Sequence, residues 1–179
     1  MDPLPIFIDI EASSLSNTSY PIEVAWNAPD GTIEAYLISP AHIPHWTDWS
    51  GEAEQLHGIS RAELLATGKP PSWICRRMNH QLAGTVVYSD EPDYDGMWLA
   101  VLFAVSSCGG PAFTIRNADD LLVSLIGPHI GGRVQGLPEL EAMKRDARRQ
   151  VPGQHRAAWD VQYLIMLYTM AKCRARGGS

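Results

Sequence analysis

Apolar residues fall into short runs over the first forty positions. Residues 4–10, Leu-Pro-Ile-Phe-Ile-Asp-Ile, are rich in β-branched and aromatic types and run into acidic and small residues, as a central strand does when it delivers side chains to a surface. Residues 20–26 and 32–39 are two further β-like runs on either side of Pro29-Asp30-Gly31, a turn sequence whose glycine tolerates positive φ. Together the three predict an antiparallel meander. Helical signals then take over: residues 51–57, a capping box at Ser60 and Glu63, and a helix from 72 to about 82 behind Pro70-Pro71. Residues 85–89, Thr-Val-Val-Tyr-Ser, predict a fourth strand, reached by a crossover and therefore parallel to the first. A helix over 95–107, a short strand over 112–116 and a helix over 118–126 follow. Residues 137–176 read as mostly helical with a break at Val151-Pro152-Gly153, and the closing Arg-Gly-Gly-Ser reads as a frayed tail. The order describes an α/β fold, a mixed sheet with helices on both faces, in one domain over residues 1–176 with a tail at 177–179.

Composition narrows the classes. With 179 residues, 45% hydrophobic and 19% charged, the chain is neither disordered nor fibrous. Fourteen basic against twenty acidic residues leave a charge of −6, so any hold on a polyanion must be local. Cys75, Cys108 and Cys173 lie far apart without a C-x-x-C pair, which argues against a disulfide framework or a thiolate zinc site and fits a reducing cytoplasm. The longest apolar run, residues 97–105, is too short to cross a bilayer, and the N-terminus has no basic leader, so a soluble, non-exported protein is expected.

Asp9 and Glu11 stand two residues apart on the first strand, so the pleat puts both carboxylates on one side of the sheet. Two anions there repel, and a hard divalent cation removes the penalty; alternatively, one of them only begins the loop before Ala12-Ser13-Ser14. Asp95 opens an apolar helix after the fourth strand. It is either a cap against the helix dipole or a third carboxylate at the same sheet edge. His155 and Asp160 lie at the start of the last helix, too far apart for one helical face. His155 is therefore placed in the lead-in, where it can take the proton of an attacking water, and Asp160 on the helix.

The order of these motifs resembles that of the DEDDh 3′-5′ exonucleases. Residues 7–15, Phe-Ile-Asp-Ile-Glu-Ala-Ser-Ser-Leu, resemble the family's first motif; His57-Gly58-Ile59 resembles its His-Gly-Ile; residues 94–99, Tyr-Asp-Gly-Met-Trp-Leu, resemble the second motif; and residues 155–160 resemble the third. The resemblance implies a ribonuclease H-like five-stranded sheet and two divalent ions, Mg²⁺ or Mn²⁺, held by Asp9, Glu11, Asp95 and Asp160. It further implies His155 as general base, a single-stranded 3′ end as substrate and nucleoside 5′-monophosphate as product. Leu15 is carried over as the wedge against the terminal nucleotide, and Ser13 with its neighbouring amides as donors. Ala12-Ser13-Ser14 stands where the family has Thr-Thr-Gly, and Asp90, Glu91 and Asp93 crowd the second motif, with Asp90 an alternative for the place of Asp95.

RNA is favoured over DNA as substrate, by similarity to the small RNA-processing members, many of which are dimers. A catalytically silent nucleic-acid-binding or protein-interaction domain on the same scaffold, or an endonuclease of ribonuclease H type, are the competing readings. Trp46 and Trp49 are expected to pack their loop onto the domain, with stacking on bases as the alternative; Trp98, Phe103, Trp159, Tyr163 and Tyr168 recur at helical spacings as core. Lys144, Arg145, Arg148 and Arg149 form a basic cluster, either a solvated face or a guide for a phosphate backbone. His42, His45, His80 and His129 show no ligand spacing and are assigned to surface or loops.

Overall fold

The computed structural model describes residues 3–150 and 155–177. The meander forms as β1 (Ile6–Ala12), β2 (Pro21–Asn27) and β3 (Ile33–Leu37), antiparallel throughout. Two parallel strands, β4 (Val86–Ser89) and β5 (Thr114–Asn117), complete a five-stranded sheet in the order β3-β2-β1-β4-β5. β1 is thus the central strand, and β1 and β4 end at the same edge of the sheet, where parallel α/β folds build their sites.

Alternation along β1 divides the molecule. Ile6, Ile8, Ile10 and Ala12 belong to one apolar core, shared with residues of α1 (Gly51–His57), α2 (Arg61–Thr67), α3 (Pro71–Leu82) and α4 (Pro92–Ala104) or their flanking turns. Phe7 joins the other core, with α5 (Ala118–Ile126), α6 (Arg133–Gln150) and α7 (Ala157–Ala175). With a side-chain period of two, Asp9 and Glu11 stand on the same face as Phe7, further along the strand. Phe7 is fully buried between Tyr88 and Tyr168, at ring-centroid separations of 6.4 and 6.1 Å, and so keys α7 onto β1. Opposite Glu11 is Glu23, and the register then slips so that Ala12 faces Pro21, an irregularity that sits where the acidic end of the strand begins.

The helix over 118–126 forms with the expected bounds, its N-cap Asn117 accepting from the amides of Asp119 and Asp120. Ser60 caps α2 by accepting from Glu63 N–H. Three expectations change. The fourth helix starts at Pro92 rather than Asp95, since proline at the first turn forfeits an amide that has no helical partner in any case. Trp159 is 45% exposed rather than core, because α7 buries the faces bearing Val161, Leu164, Tyr168 and Ala171 instead. The helical remainder starts at Arg133 rather than Leu137 and runs through Pro138, behind a short 3-10 turn, Gly127–His129. The anticipated break at Val151-Pro152-Gly153 lies outside the described residues. Among the described residues, no helix is long and apolar enough to cross a membrane.

Phe7→Ala removes the side chain that keys α7 to β1 and should cost about 3–5 kcal/mol of unfolding free energy. Denaturant titration measures it; a loss under about 1 kcal/mol would show that α7 is held mainly elsewhere.

Candidate active site

The β1 carboxylates project from the C-terminal end of the strand, and the first turn of α7 brings a third beside them. Ligand oxygens of Asp9, Glu11 and Asp160 all lie within 4.8 Å of one another. Asp95 stands behind this trio on the first turn of α4, only 2% exposed. It does not cap its helix. Its carboxylate accepts a hydrogen bond from the buried Ser89 hydroxyl at the end of β4, and that hydroxyl in turn accepts from Glu91 N–H at 3.0 Å. Of the two sequence readings for Asp95, the structure has the carboxylate at the shared edge.

The cluster is electrostatically unfavourable without a cation. Burial, and then the charges of Asp95, Asp160, Glu11 and Asp90, push the Asp9 carboxyl well above the usual range. Burial with Asp160 and Glu23 pushes Glu11 up to about 7, against the opposing guanidinium of Arg156. Asp160 is pushed up to about 6 by burial and Asp90, while His155 and Arg148 pull the other way. Burial raises Asp95 too, and the Ser89 hydrogen bond opposes it. Two of the nearby cations are paired with other acids: Arg156 with Glu23, and Lys144 with Asp119 and Glu141. An all-oxygen donor set of this density suits a hard divalent ion, whereas a soft-metal site would need thiolate or imidazole. Asp9, Glu11 and Asp160, with Asp95 adjoining, therefore fit such a group.

His155 is the exposed residue ahead of α7, with a left-handed φ of 64°. It lines, together with Glu11, a cavity of about 330 Å³. The rest of the wall comes from the loop after β1 and from α1, with Trp98 of α4: Ala12, Ser14, Leu15, Ser50, Glu52, Ala53, Leu56 and His57. Leu15 and Leu56 are 77% and 54% exposed, an apolar pair at a polar site. Leu56 was not singled out by sequence reasoning. His57 was noted only as a motif residue; its Nδ1 accepts from Ile59 N–H at 3.0 Å, burial lowers its pKa, and the ring meets Trp49 edge-on at 6.3 Å. The exposed leucine one position before the His-Gly pair was the available signal, since an amphipathic seven-residue helix has few reasons to expose it.

Ser13 corrects an expectation. It is fully buried, its hydroxyl accepts from Tyr20 N–H at 3.1 Å, and its amide donates to Tyr20 O at 2.9 Å, so it closes the β1–β2 turn and does not line the cavity. Ser14 faces the cavity, but its hydroxyl is given to Asp48. Trp46 stacks on Tyr20 at 5.0 Å and Trp49 donates to Glu54, both as loop packing. Of the basic cluster, Arg148 lies over the Tyr163 ring, at 5.7 Å, and acts on Asp160 and Asp90, and Lys144 acts on Asp90 as well. Asp90 is half-buried, and its charge reaches Asp9, Asp95 and Asp160, which makes it a fifth acid at the cluster's border.

A mixed sheet of this strand order, with acids at the shared end of β1 and β4 and helices on both faces, is a ribonuclease H-like α/β fold. Solved structures of exonuclease I are among those that it resembles. Escherichia coli exonuclease I in a zinc-bound complex with single-stranded DNA matches with TM-score 0.68 at 16% identity, over 98% of this chain and 41% of that one. The same enzyme with a dT13 oligonucleotide matches at TM-score 0.68, 16% identity and 96% and 41% coverage. Exonuclease I from Methylocaldum szegediense matches at TM-score 0.66 and 17% identity, over 96% and 40%. The chain thus spans about two fifths of the length of these structures. No protein-family model and no curated protein matches the sequence.

Because the folded, metal-free protein holds protons on raised carboxyls that the unfolded chain has already released, its stability should fall as pH rises from the ordinary carboxylate range through about 6 and about 7. In EDTA, Tm should therefore decline across that window, and Mn²⁺ should raise Tm more at its upper end than at its lower end. A metal increment independent of pH would contradict the shared-cation reading of the trio.

Proposed function

We propose that this chain is a divalent-metal-dependent 3′-5′ exonuclease that removes nucleoside 5′-monophosphates from single-stranded nucleic acid. The observation that carries the reading is the meeting of Asp9, Glu11 and Asp160 within 4.8 Å, with Asp95 buried beside them and His155 at the rim of a cavity that opens on Glu11. Asp9, Glu11, Asp95 and Asp160 would hold the metal. Two Mg²⁺ or Mn²⁺ ions, when bound, supply positive charge to the attacking and leaving oxygens of a phosphodiester. The His155 ring nitrogen takes the proton from the attacking water, from an exposed position that lets the ring approach and withdraw.

The cavity holds the terminal nucleotide. Its volume is at the small end of ligand sites, fit for one residue of a strand rather than a duplex, which suits release of one nucleotide at a time. Leu15 and Leu56 grip the base from either side, and Leu15 serves as the wedge that separates it from the next base. Arg148 reaches the phosphate backbone from the α6 side, offsetting the acids at Asp90 and Asp160. Among substrates, single-stranded DNA moves ahead of RNA, which the sequence favoured, because the exonuclease I structures with this fold carry single-stranded DNA. RNA is the second arm of the assay.

With 5′-labelled single-stranded DNA and RNA of one sequence, Mn²⁺ or Mg²⁺ should give a ladder that shortens from the 3′ end, and EDTA should stop it. Internal cuts would instead point to an endonuclease, and a substrate left intact with metal would point to a silent scaffold. Asp9→Ala and Asp160→Ala should abolish hydrolysis while the far-UV spectrum persists; His155→Ala should lower kcat by about 10²–10⁴. Full activity in either Asp variant overturns the ligand assignment. Leu15→Ala and Leu56→Ala should each raise KM roughly tenfold with kcat little changed, the signature of lost uniform binding.

A further inference from the structure

The conformation of His155 needs an anchor. A left-handed φ of 64° is uncommon for a residue with a side chain, and His155 is exposed, so its own packing does not account for it. The next residue, Arg156, is extended at φ −137° and ψ 128°, and its carbonyl receives the first amides of α7, from Trp159 at 2.8 Å and Asp160 at 3.2 Å. Arg156 therefore fixes both the His155 turn and the phase of the helix that carries Asp160.

Arg156 is itself fixed by one carboxylate. Its Nε and Nη2 donate to the two oxygens of Glu23 at 3.0 and 2.7 Å, and Ala157 N–H adds a third bond to Glu23 Oε2 at 3.0 Å. Glu23 is 3% exposed and lies directly across from Glu11 in the β1–β2 register. A buried carboxylate beside so many acids is electrostatically costly, and it raises Glu11 further. The planar guanidinium fork gives it a bond of defined direction, which an apolar contact would not.

We infer that Glu23 is a positioning residue: through its paired bonds to Arg156 and its bond to the Ala157 amide, it holds the lead-in to α7 so that His155 stands over the carboxylate site beside Glu11. The inference rests on the reading of His155 as proton acceptor. Glu23 touches no substrate and acts only through the segment it ties down. A shift of about 1 Å in a reacting group can cost on the order of 10² in rate, so loss of the tie should be read in kcat rather than in KM.

The test is a double-mutant cycle on labelled single-stranded DNA with saturating Mn²⁺, using wild type, Glu23→Gln, His155→Ala and both together. Glu23→Gln should lower kcat by about 10–100-fold with KM within about twofold, and should change kcat less than about twofold once His155 is already alanine. An unchanged kcat for Glu23→Gln, or an equal loss in both backgrounds, overturns the inference, the second because the effect would then pass through Glu11 or general stability. If Glu23→Gln does not fold, Arg156→Lys, which keeps the charge and loses the fork, carries the same cycle with the same outcomes. In metal-free protein, the His155 ring resonance, assigned by its loss in His155→Ala, should be a single sharp signal that shifts or broadens in Glu23→Gln while those of His42, His45, His80 and His129 stay; His57, which feels the Glu23 charge directly, is no reference. A signal that does not move counts against the tie. Wild type that hydrolyses nothing with metal overturns the exonuclease reading, whereas the resonance tests the tie in either case.

Discussion

Carboxylates brought within 4.8 Å of one another repel, and the arrangement of this protein follows from tolerating that repulsion at one place. β1 can hold Asp9 and Glu11 side by side because its other end is anchored on the same face by Phe7 and on the opposite face by Ile6, Ile8 and Ile10. Apolar burial at one end of a strand thus supports charge at the other. The strain is focused where β1 and β4 terminate together, which is also the place where a ligand meets no intervening helix.

Each acid is carried by a different kind of support. Asp9 and Glu11 depend on the pleat, Asp160 on the docking of α7, and Asp95 on the Ser89 hydroxyl together with the early start of α4 at Pro92. These supports come from both cores, so the site is a seam between them. The wall of the cavity repeats the theme, since α1 belongs with one core while His155 leads into a helix of the other. The Glu23–Arg156 bonds tie β2 to the start of α7 on the sheet face that Glu23 shares with Ala25.

The exonuclease I structures share this scaffold at 14–17% identity, far below the level at which side-chain detail is inherited. What is kept at that distance is the fold. In this chain Ser13-Ser14 after β1 and Asp90-Glu91 after β4 lie in loops at the end of the sheet where its acids gather, and loop backbone can vary there without disturbing either core.

Periodicity alone determined much here. The alternation along the first strand put Asp9 and Glu11 on one face, Pro29-Asp30-Gly31 joined two strands, and the capping box at Ser60 marked a helix start, because each depends on neighbours within a few residues. The motif order brought Asp95, His155 and Asp160 into consideration, but not their surroundings. Packing from distant segments decided that Ser13 is closed off by Tyr20, that Asp95 bonds to Ser89 rather than capping its helix, that Trp159 faces solvent, and that Leu56 lines the same cavity as Leu15 across more than forty residues of chain. Local pattern fixes which face a side chain takes on its own element. What that face meets is set by how two layers of helices settle on one sheet, and this is a property of the whole chain.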